Sequence, residues 1–201
     1  MATSTCTPLR QTILSEPLAI VAVIGSAGRG AHAGKFTADL FKRMVERVEK
    51  ILREELKLNN YCLVSGGSAW ADHVAVALFL SGKAKQLRLE LPCEFNHRTG
   101  RFTTSELGQY FSRLHEQFSQ TARIDSLADI ARVLQTVGCK STVHRGFMAR
   151  NNQVAKQAQY VLALSWSRGQ EPDSGGTLYT WKRCSRATVK IHVSLEDLLA
   201  E

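Results

Sequence analysis

Short apolar runs that each lead into a glycine turn are the feature that most limits how this chain can fold. The clearest is Tyr160–Leu164, which follows a segment of helical spacing and precedes a polar loop and the turn Ser174–Thr177. An apolar run without polar alternation is typical of a strand buried on both faces of a parallel sheet. The tract therefore predicts a helix, a strand, a glycine turn and a second helix, in that order.

Similar units occur elsewhere in the chain. Strands are predicted at Leu18–Ile24, Tyr61–Val64, Gln86–Leu91, Tyr160–Leu164 and Thr188–Val193. Between them lie helical segments such as Phe36–Leu58, in which apolar residues recur at threes and fours. This alternation predicts an α/β fold, a Rossmann-like three-layer sandwich with a mostly parallel sheet of about five strands.

The length of 201 residues fits one such domain. Residues 1–17 are rich in Ser and Thr and predict a flexible lead-in, and residues 18–201 predict a single domain in which 97–140 is an elaborated crossover beside the pocket. No apolar run approaches the roughly 18 residues that a membrane helix requires, so no membrane association is expected. Five scattered cysteines without a C-x-x-C pair favour a reducing, cytoplasmic compartment and predict no metal site.

The glycine turns at three predicted strand ends indicate an anion site. Backbone N–H groups in such turns approach an anion closely, and the positive end of the following helix supports the same charge. The residues assigned to ligand binding in these turns are Gly25, Ser26, Arg29, Gly66, Gly67, Gly175, Gly176 and Thr177. The first turn has the spacing G-x-x-G-x-G, which differs from the dinucleotide fingerprint G-x-G-x-x-G. A nicotinamide cofactor is therefore not inferred, and no other cofactor is predicted.

Three polar residues outside the glycines are further candidates, and two of them have two interpretations each. Asp72 follows the second glycine pair in the first turn of a predicted helix, where it either complements the helix dipole or accepts hydrogen bonds from a ribose. Arg29 is either a phosphate ligand or an exposed loop arginine. Arg150, with Asn151, opens the helix before Tyr160–Leu164 and is available for phosphate.

Two motifs together resemble a known superfamily. The first is Arg150-Asn151-x-x-Val154-Ala155 followed by an apolar strand and Ser174-Gly175-Gly176-Thr177, and the second is Ser65-Gly66-Gly67-x-x-x-x-Asp72-x-x-Ala75. They resemble the SLOG superfamily of Rossmann-like domains, named for the Smf/DprA DNA-processing proteins and the LONELY GUY phosphoribohydrolases. Leu91-Pro92-x-x-Phe95 is similar to the YspA/YpsA-related branch. The resemblance implies a site for a nucleotide or nucleotide-derived ligand at the carboxyl edge of the sheet.

The expected chemistry depends on one position. In LONELY GUY-type enzymes the glycine motif is P-G-G-x-G-T-x-x-E, and its glutamate serves cleavage of the N-glycosidic bond. Thr180 stands where that acid would be, and a hydroxyl cannot activate water as a carboxylate does. We therefore expect binding of a nucleoside phosphate or an ADP-ribose-like compound. The alternative is a nucleotide N-glycosidase that uses a relocated catalytic carboxylate, Asp72 or Glu94.

A net charge of +8 also favours an anionic partner. Single-stranded DNA binding is a third alternative, by analogy with the DNA-processing branch, and Trp70, Trp166 and Trp181 could stack on bases. The basic residues are distributed through the chain without aromatic interleaving, so nucleic-acid binding is expected to be weak and salt-dependent. The sequence is also compatible with a homo-oligomer.

Overall fold

The computed structural model of the protein describes residues 18–200. The predicted lead-in, residues 1–17, lies outside the described residues. The first half of the chain forms β1 (Ala19–Gly25), a 3-10 helix (Gly30–Lys35), α1 (Ala38–Lys50) with a π-helical continuation (Ile51–Glu55), β2 (Tyr61–Ser65), α2 (Ala71–Leu80) and β3 (Gln86–Leu91). The second half forms β4 (Phe95–Asn96), β5 (Arg101–Phe102), α3 (Glu106–Ala122), α4 (Ser126–Gln135), β6 (Cys139–Val143), α5 (Phe147–Gln157), β7 (Tyr160–Ser165), α6 (Gly175–Arg183), β8 (Val189–Ser194) and α7 (Leu195–Ala200).

The main sheet has six strands in the order β6-β3-β2-β1-β7-β8, and every neighbouring pair is parallel. The predicted α/β, Rossmann-like class is confirmed. The predicted count of about five strands is wrong, because the sequence analysis missed β6. This strand lies at the edge of the sheet, and residues 140–143 are exposed. A strand with one neighbour and little burial has no need of an apolar run, so it lacks the signal that identified the others.

Helices cover both faces of the sheet and divide the core into two parts. One part lies under α1, α2, α3, α4 and α7 and contains large side chains such as Leu40, Met44 and Phe118. The other lies under α5 and α6 and contains Val154 and Trp181. None of the described helices is both long enough and apolar enough to cross a membrane.

The strand order places a switch point between β1 and β7. From β1 the chain builds β2, β3 and β6 toward one edge, then returns to add β7 and β8 on the other side of β1. The loops that leave β1 and β7 therefore run in opposite directions and leave a crevice at the carboxyl edge of the sheet. Ligands bind in this crevice in open α/β sheets.

The crossover at residues 97–140 contains the end of the β4–β5 hairpin and the helices α3 and α4, and its last residues begin β6. Phe118 of α3 packs it against the core, with its ring centroid 4.6 Å from that of Trp70 and 4.9 Å from that of Phe41. Trp70 is buried by this contact and by Phe36. Trp70, one of the tryptophans that could stack on bases by the sequence, is therefore a packing residue of the core.

Candidate ligand-binding site

A cavity of about 480 Å³ opens at the switch point. Small-molecule sites typically occupy about 300–1,000 Å³. The loop after β1 forms one wall, the first turn of α6 forms another, and the start of α5 forms a third. Ser68 and Asp72 from the β2–α2 segment and Leu114 from α3 complete it.

The cavity brings together most residues that the sequence assigned to ligand binding. Those that line it are Gly25, Ser26, Arg29, Asp72, Arg150, Asn151, Gly175, Gly176 and Thr177. Three assigned residues do not line it, namely Gly66, Gly67 and Glu94. Glu94 is exposed, and its backbone carbonyl accepts a hydrogen bond from Thr103 in the β4–β5 hairpin. Asp72 is thus the one carboxylate among the described residues that line the cavity.

Asp72 and Arg150 form a buried ion pair at the base of the cavity. Arg150 Nη1 donates to Asp72 Oδ2 over 2.9 Å, and the two residues are 8% and 4% exposed, Arg150 and Asp72 respectively. The same carboxylate oxygen accepts from the backbone N–H of Ser68 at 3.3 Å. Arg150 Nε is buried and makes no hydrogen bond to any described residue. Asp72 thus holds the Arg150 guanidinium in place, while the Nε donor of Arg150 remains unused.

Gly66 makes room for that arginine. A Cβ atom at this position would lie 1.4 Å from Arg150 Nη1 and 2.0 Å from Cζ, so any side chain would displace the guanidinium. Gly67 has a left-handed φ of +64°, and its carbonyl accepts from His115 Nε2 at 3.0 Å. Gly66 and Gly67 therefore support residues behind the cavity wall. The sequence had predicted that they contact phosphate directly.

The loop after β1 approaches β7 closely. A Cβ atom on Gly25 would lie 2.1 Å from the carbonyl oxygen of Leu164, and the N–H of Ser26 donates to that oxygen at 2.9 Å. Beyond this contact Arg29 is exposed, and its Nη1 donates to the hydroxyl of Tyr110 at 2.9 Å. The crossover helix α3 thus reaches the mouth of the cavity through Tyr110.

The first turn of α6 presents backbone N–H groups to the cavity. Ser174 precedes the helix, and its side chain makes no capping hydrogen bond within the described structure. Gly175 and Gly176 are exposed, and Thr177 is half-buried. Uncapped N–H groups at a helix N-terminus together with the helix dipole form an anion-binding arrangement. One turn later, the buried Thr180 donates its hydroxyl to the carbonyl of Gly176 at 2.7 Å.

Several cavity residues were not identified from the sequence, among them Ser68, Leu114, Phe147, Met148 and Ser174 as individual contacts. Leu114 occupies an apolar position of an amphipathic helix, where it is indistinguishable by spacing from a core residue. Ser174 could have been identified from the sequence, because it belongs to the glycine motif Ser174-Gly175-Gly176-Thr177. Among residues 18–200, no group of three or more His, Cys, Asp or Glu side chains is arranged to hold a metal ion.

Comparison with known sequences identifies a relative that matches nearly the whole chain. No family model matches the chain. It is similar to uncharacterized protein R261 of Acanthamoeba polyphaga mimivirus, with 36% identity over 182 residues that cover 89% of this chain and 97% of the viral protein. The similarity therefore extends over nearly the whole of both sequences.

Proposed function

This chain belongs to the same family as protein R261 of Acanthamoeba polyphaga mimivirus, and we propose that it binds a nucleotide or nucleotide-derived ligand, such as a nucleoside phosphate or an ADP-ribose-like compound. The resemblance to the SLOG superfamily, and within it to the YspA/YpsA-related branch, is part of the same proposal. The ligand would lie in the cavity between the ends of β1 and β7.

The observation that carries this proposal is the meeting, in one cavity, of an uncapped helix N-terminus and a buried arginine. The first turn of α6 and the guanidinium of Arg150 both line it, and both attract a phosphate group. Arg29 adds a second cation at the mouth. Leu114, Phe147 and Met148 add an apolar wall that suits the face of a base.

The arrangement supports binding more than glycosidic cleavage. Asp72 is the one cavity carboxylate, and its Oδ2 is used to hold Arg150 and the Ser68 amide. Glu94, the other candidate acid, is exposed and does not line the cavity. The hydroxyl of Thr180 is bonded within its own helix. A general acid and a nucleophile or base that flank a glycosidic bond are both required for hydrolysis.

A binding experiment at Gly176 tests the proposal directly. Gly176→Asp places a carboxylate at the start of α6, where it interacts favourably with the helix dipole but repels a bound phosphate. A Cβ atom there meets only Asn151 Nδ2, at 3.5 Å, so the substitution fits the fold. We expect thermal stabilisation by AMP, ADP or ADP-ribose in the unmodified protein, exceeding that given by inorganic phosphate, and its loss in Gly176→Asp.

Gly176→Asn is the matched control, because it has the same shape without the charge. It should retain most of the stabilisation. The proposal fails if no nucleotide differs from inorganic phosphate, or if the aspartate and asparagine variants respond alike to the ligand.

A further inference from the structure

The net positive charge of this protein comes from one part of the chain. Residues 130–195 contain ten of the 26 Lys and Arg residues but only two of the 18 Asp and Glu residues. That excess of eight equals the net charge of +8, so the remaining residues carry 16 charges of each sign. The basic residues themselves are spread through the chain, and the excess arises because acidic residues are scarce in this segment.

Part of this excess lies on one face of the sheet, since six of the ten basic residues are exposed on α5 and α6, on β6 and the loop after it, or in the loop after α6. Residues 130–195 include α5 and α6, which pack against each other and alone cover the core that contains Val154 and Trp181. Neither helix contains an acidic residue. We define the α5–α6 surface by the exposed basic residues Lys140, Arg145, Lys156, Lys182, Arg183 and Arg186.

A hydrogen bond joins α5 and α6, and a cation–π contact lies beside it on α6. Tyr179 of α6 donates its hydroxyl to Asn152 Oδ1 of α5 at 3.0 Å. The guanidinium of Arg183 lies 3.5 Å from the centroid of the Tyr179 ring. The two helices are thus linked through Tyr179, and the exposed Arg183 lies against its half-buried ring.

The cations of the α5–α6 surface are unpaired, unlike those of the opposite layer. Within residues 18–200, none of the six forms an ion pair within 4 Å. On α1 and its continuation, by contrast, Lys42, Arg43, Arg47 and Arg53 each pair with an acidic neighbour. Unpaired cations gathered on one face repel one another, and a polyanion would relieve that repulsion.

We propose that the α5–α6 surface binds the phosphodiester backbone of a nucleic acid. Several exposed cations without acidic partners suit a repeating phosphate chain better than a single small anion. The ring of Tyr179, stacked by Arg183, adds an aromatic contact that single-stranded nucleic acids use. A lipid surface is less suited to it, because Met148 is the one large apolar side chain of α5 and α6 that is exposed in the described structure, whereas interfacial binding requires a whole apolar face. None of the six basic residues of this surface lines the cavity, and the proposal does not depend on ligand binding there.

Fluorescence anisotropy with a labelled 30-nucleotide single strand and its duplex tests the proposal. The variant is Lys156→Ala/Lys182→Ala/Arg183→Ala, and the control is Lys42→Ala/Lys50→Ala/Arg53→Ala on α1 and its continuation. Both remove three exposed positive charges, so they change the net charge equally. For single strands, each phosphate contact contributes about 0.7 to the slope of log affinity against log salt.

We expect the unmodified protein to bind at 50 mM salt and to release the oligonucleotide as salt increases. The α5–α6 variant should lose at least about tenfold in affinity and reduce the slope by about 2, as three lost phosphate contacts require. The α1 control should stay within about threefold of the unmodified protein. Circular dichroism should show the same helical content in all three proteins.

Three results would overturn the proposal. The first is no binding of either oligonucleotide at 50 mM salt. The second is an equal loss in the control, which would mean that net charge alone attracts nucleic acid. The third is binding to phosphatidylserine vesicles without binding to oligonucleotides, which would assign the surface to a membrane. A preference between the single strand and the duplex identifies which form the surface binds.

Discussion

At the scale of single residues, the contact between Asp72 and Arg150 links stability with the proposed function. The two side chains come from α2 and α5, and they meet because Gly66 leaves space for the guanidinium. Removing one member of such a pair leaves an uncompensated buried charge, whereas removing both can be nearly neutral. Losing both side chains is therefore expected to destabilise the protein less than losing Asp72 alone, which a simple count of contacts would not predict.

Asp72→Ala should lower the free energy of unfolding by about 3–5 kcal/mol, since Arg150 is then buried without its partner. The double variant Asp72→Ala/Arg150→Met should be more stable than Asp72→Ala alone, because the unpaired charge is gone. Urea unfolding of Asp72→Ala, Arg150→Met and the double variant measures this coupling. Additive losses in the double variant would show that the pair is too well solvated to act as described.

Thr180 leads to a separate prediction, about cleavage of the N-glycosidic bond. Its hydroxyl is bonded to the Gly176 carbonyl and is buried, so no acidic group occupies this turn of α6. Acid–base groups typically contribute about 10²–10⁴-fold to a rate. Incubation with AMP followed by chromatography should therefore recover intact nucleotide without free base. Rapid release of base that is abolished by Asp72→Asn or Glu94→Gln, but not by Glu106→Gln on exposed α3 surface, would establish a relocated catalytic carboxylate.

At the scale of elements, α3 is fixed to the glycine loop and to α4 by a buried histidine. His115 Nε2 donates to the Gly67 carbonyl, and Nδ1 lies 3.1 Å from the hydroxyl of Ser126 at the start of α4. Burial lowers the pKa of His115 to about 3, with a further contribution from the neighbouring His73. The adjacent residue, Leu114, lines the cavity, so this anchor also positions one cavity wall.

Acid should therefore destabilise the protein over a defined range. In the unfolded chain a histidine has a pKa of about 6.5, so between about pH 6.5 and 3 the unfolded state binds a proton that folded His115 does not. Stability from this group is complete above pH 6.5 and declines below it, by up to about 1.4 kcal/mol per pH unit. Urea unfolding at pH 7.5, 6.0 and 5.0 measures the decline.

The variant His115→Gln should be less stable at pH 7.5 but should lose less stability on acidification. His97→Gln is the matched control, since His97 is exposed in the β4–β5 hairpin, and it should leave the pH dependence close to that of the unmodified protein. An unchanged slope in His115→Gln would assign the acid sensitivity to other groups.

The exact ends of helices and strands depend on tertiary contacts that the local sequence does not reveal. The helix after the second glycine pair begins at Ala71, directly after Trp70, which adopts a left-handed φ of 58° and packs against Phe118. That conformation is costly for a non-glycine residue, and only the surrounding core stabilises it. The apolar strands and amphipathic helices were predictable since their burial imposes a local period.

At the scale of the whole molecule, the order of the strands determines what the site contains. The crevice forms because β7 adds to the opposite side of β1 from β2. That order brings the loops after β1 and β7 together with the start of α5. It also separates the two helical layers, so the basic segment 130–195 contributes its α5–α6 layer to one face.

The sequence by itself determined the α/β class, five of the six strands of the main sheet, and the glycine turns at three strand ends, because these depend on periodicity and on backbone freedom within a few neighbouring residues. Only the tertiary structure decided which of those residues meet. It paired Asp72 with Arg150, placed Gly66 and Gly67 behind the cavity, and left Glu94 exposed. The physical reason is that these contacts join segments far apart in the chain, and strand order and helix packing set their distances.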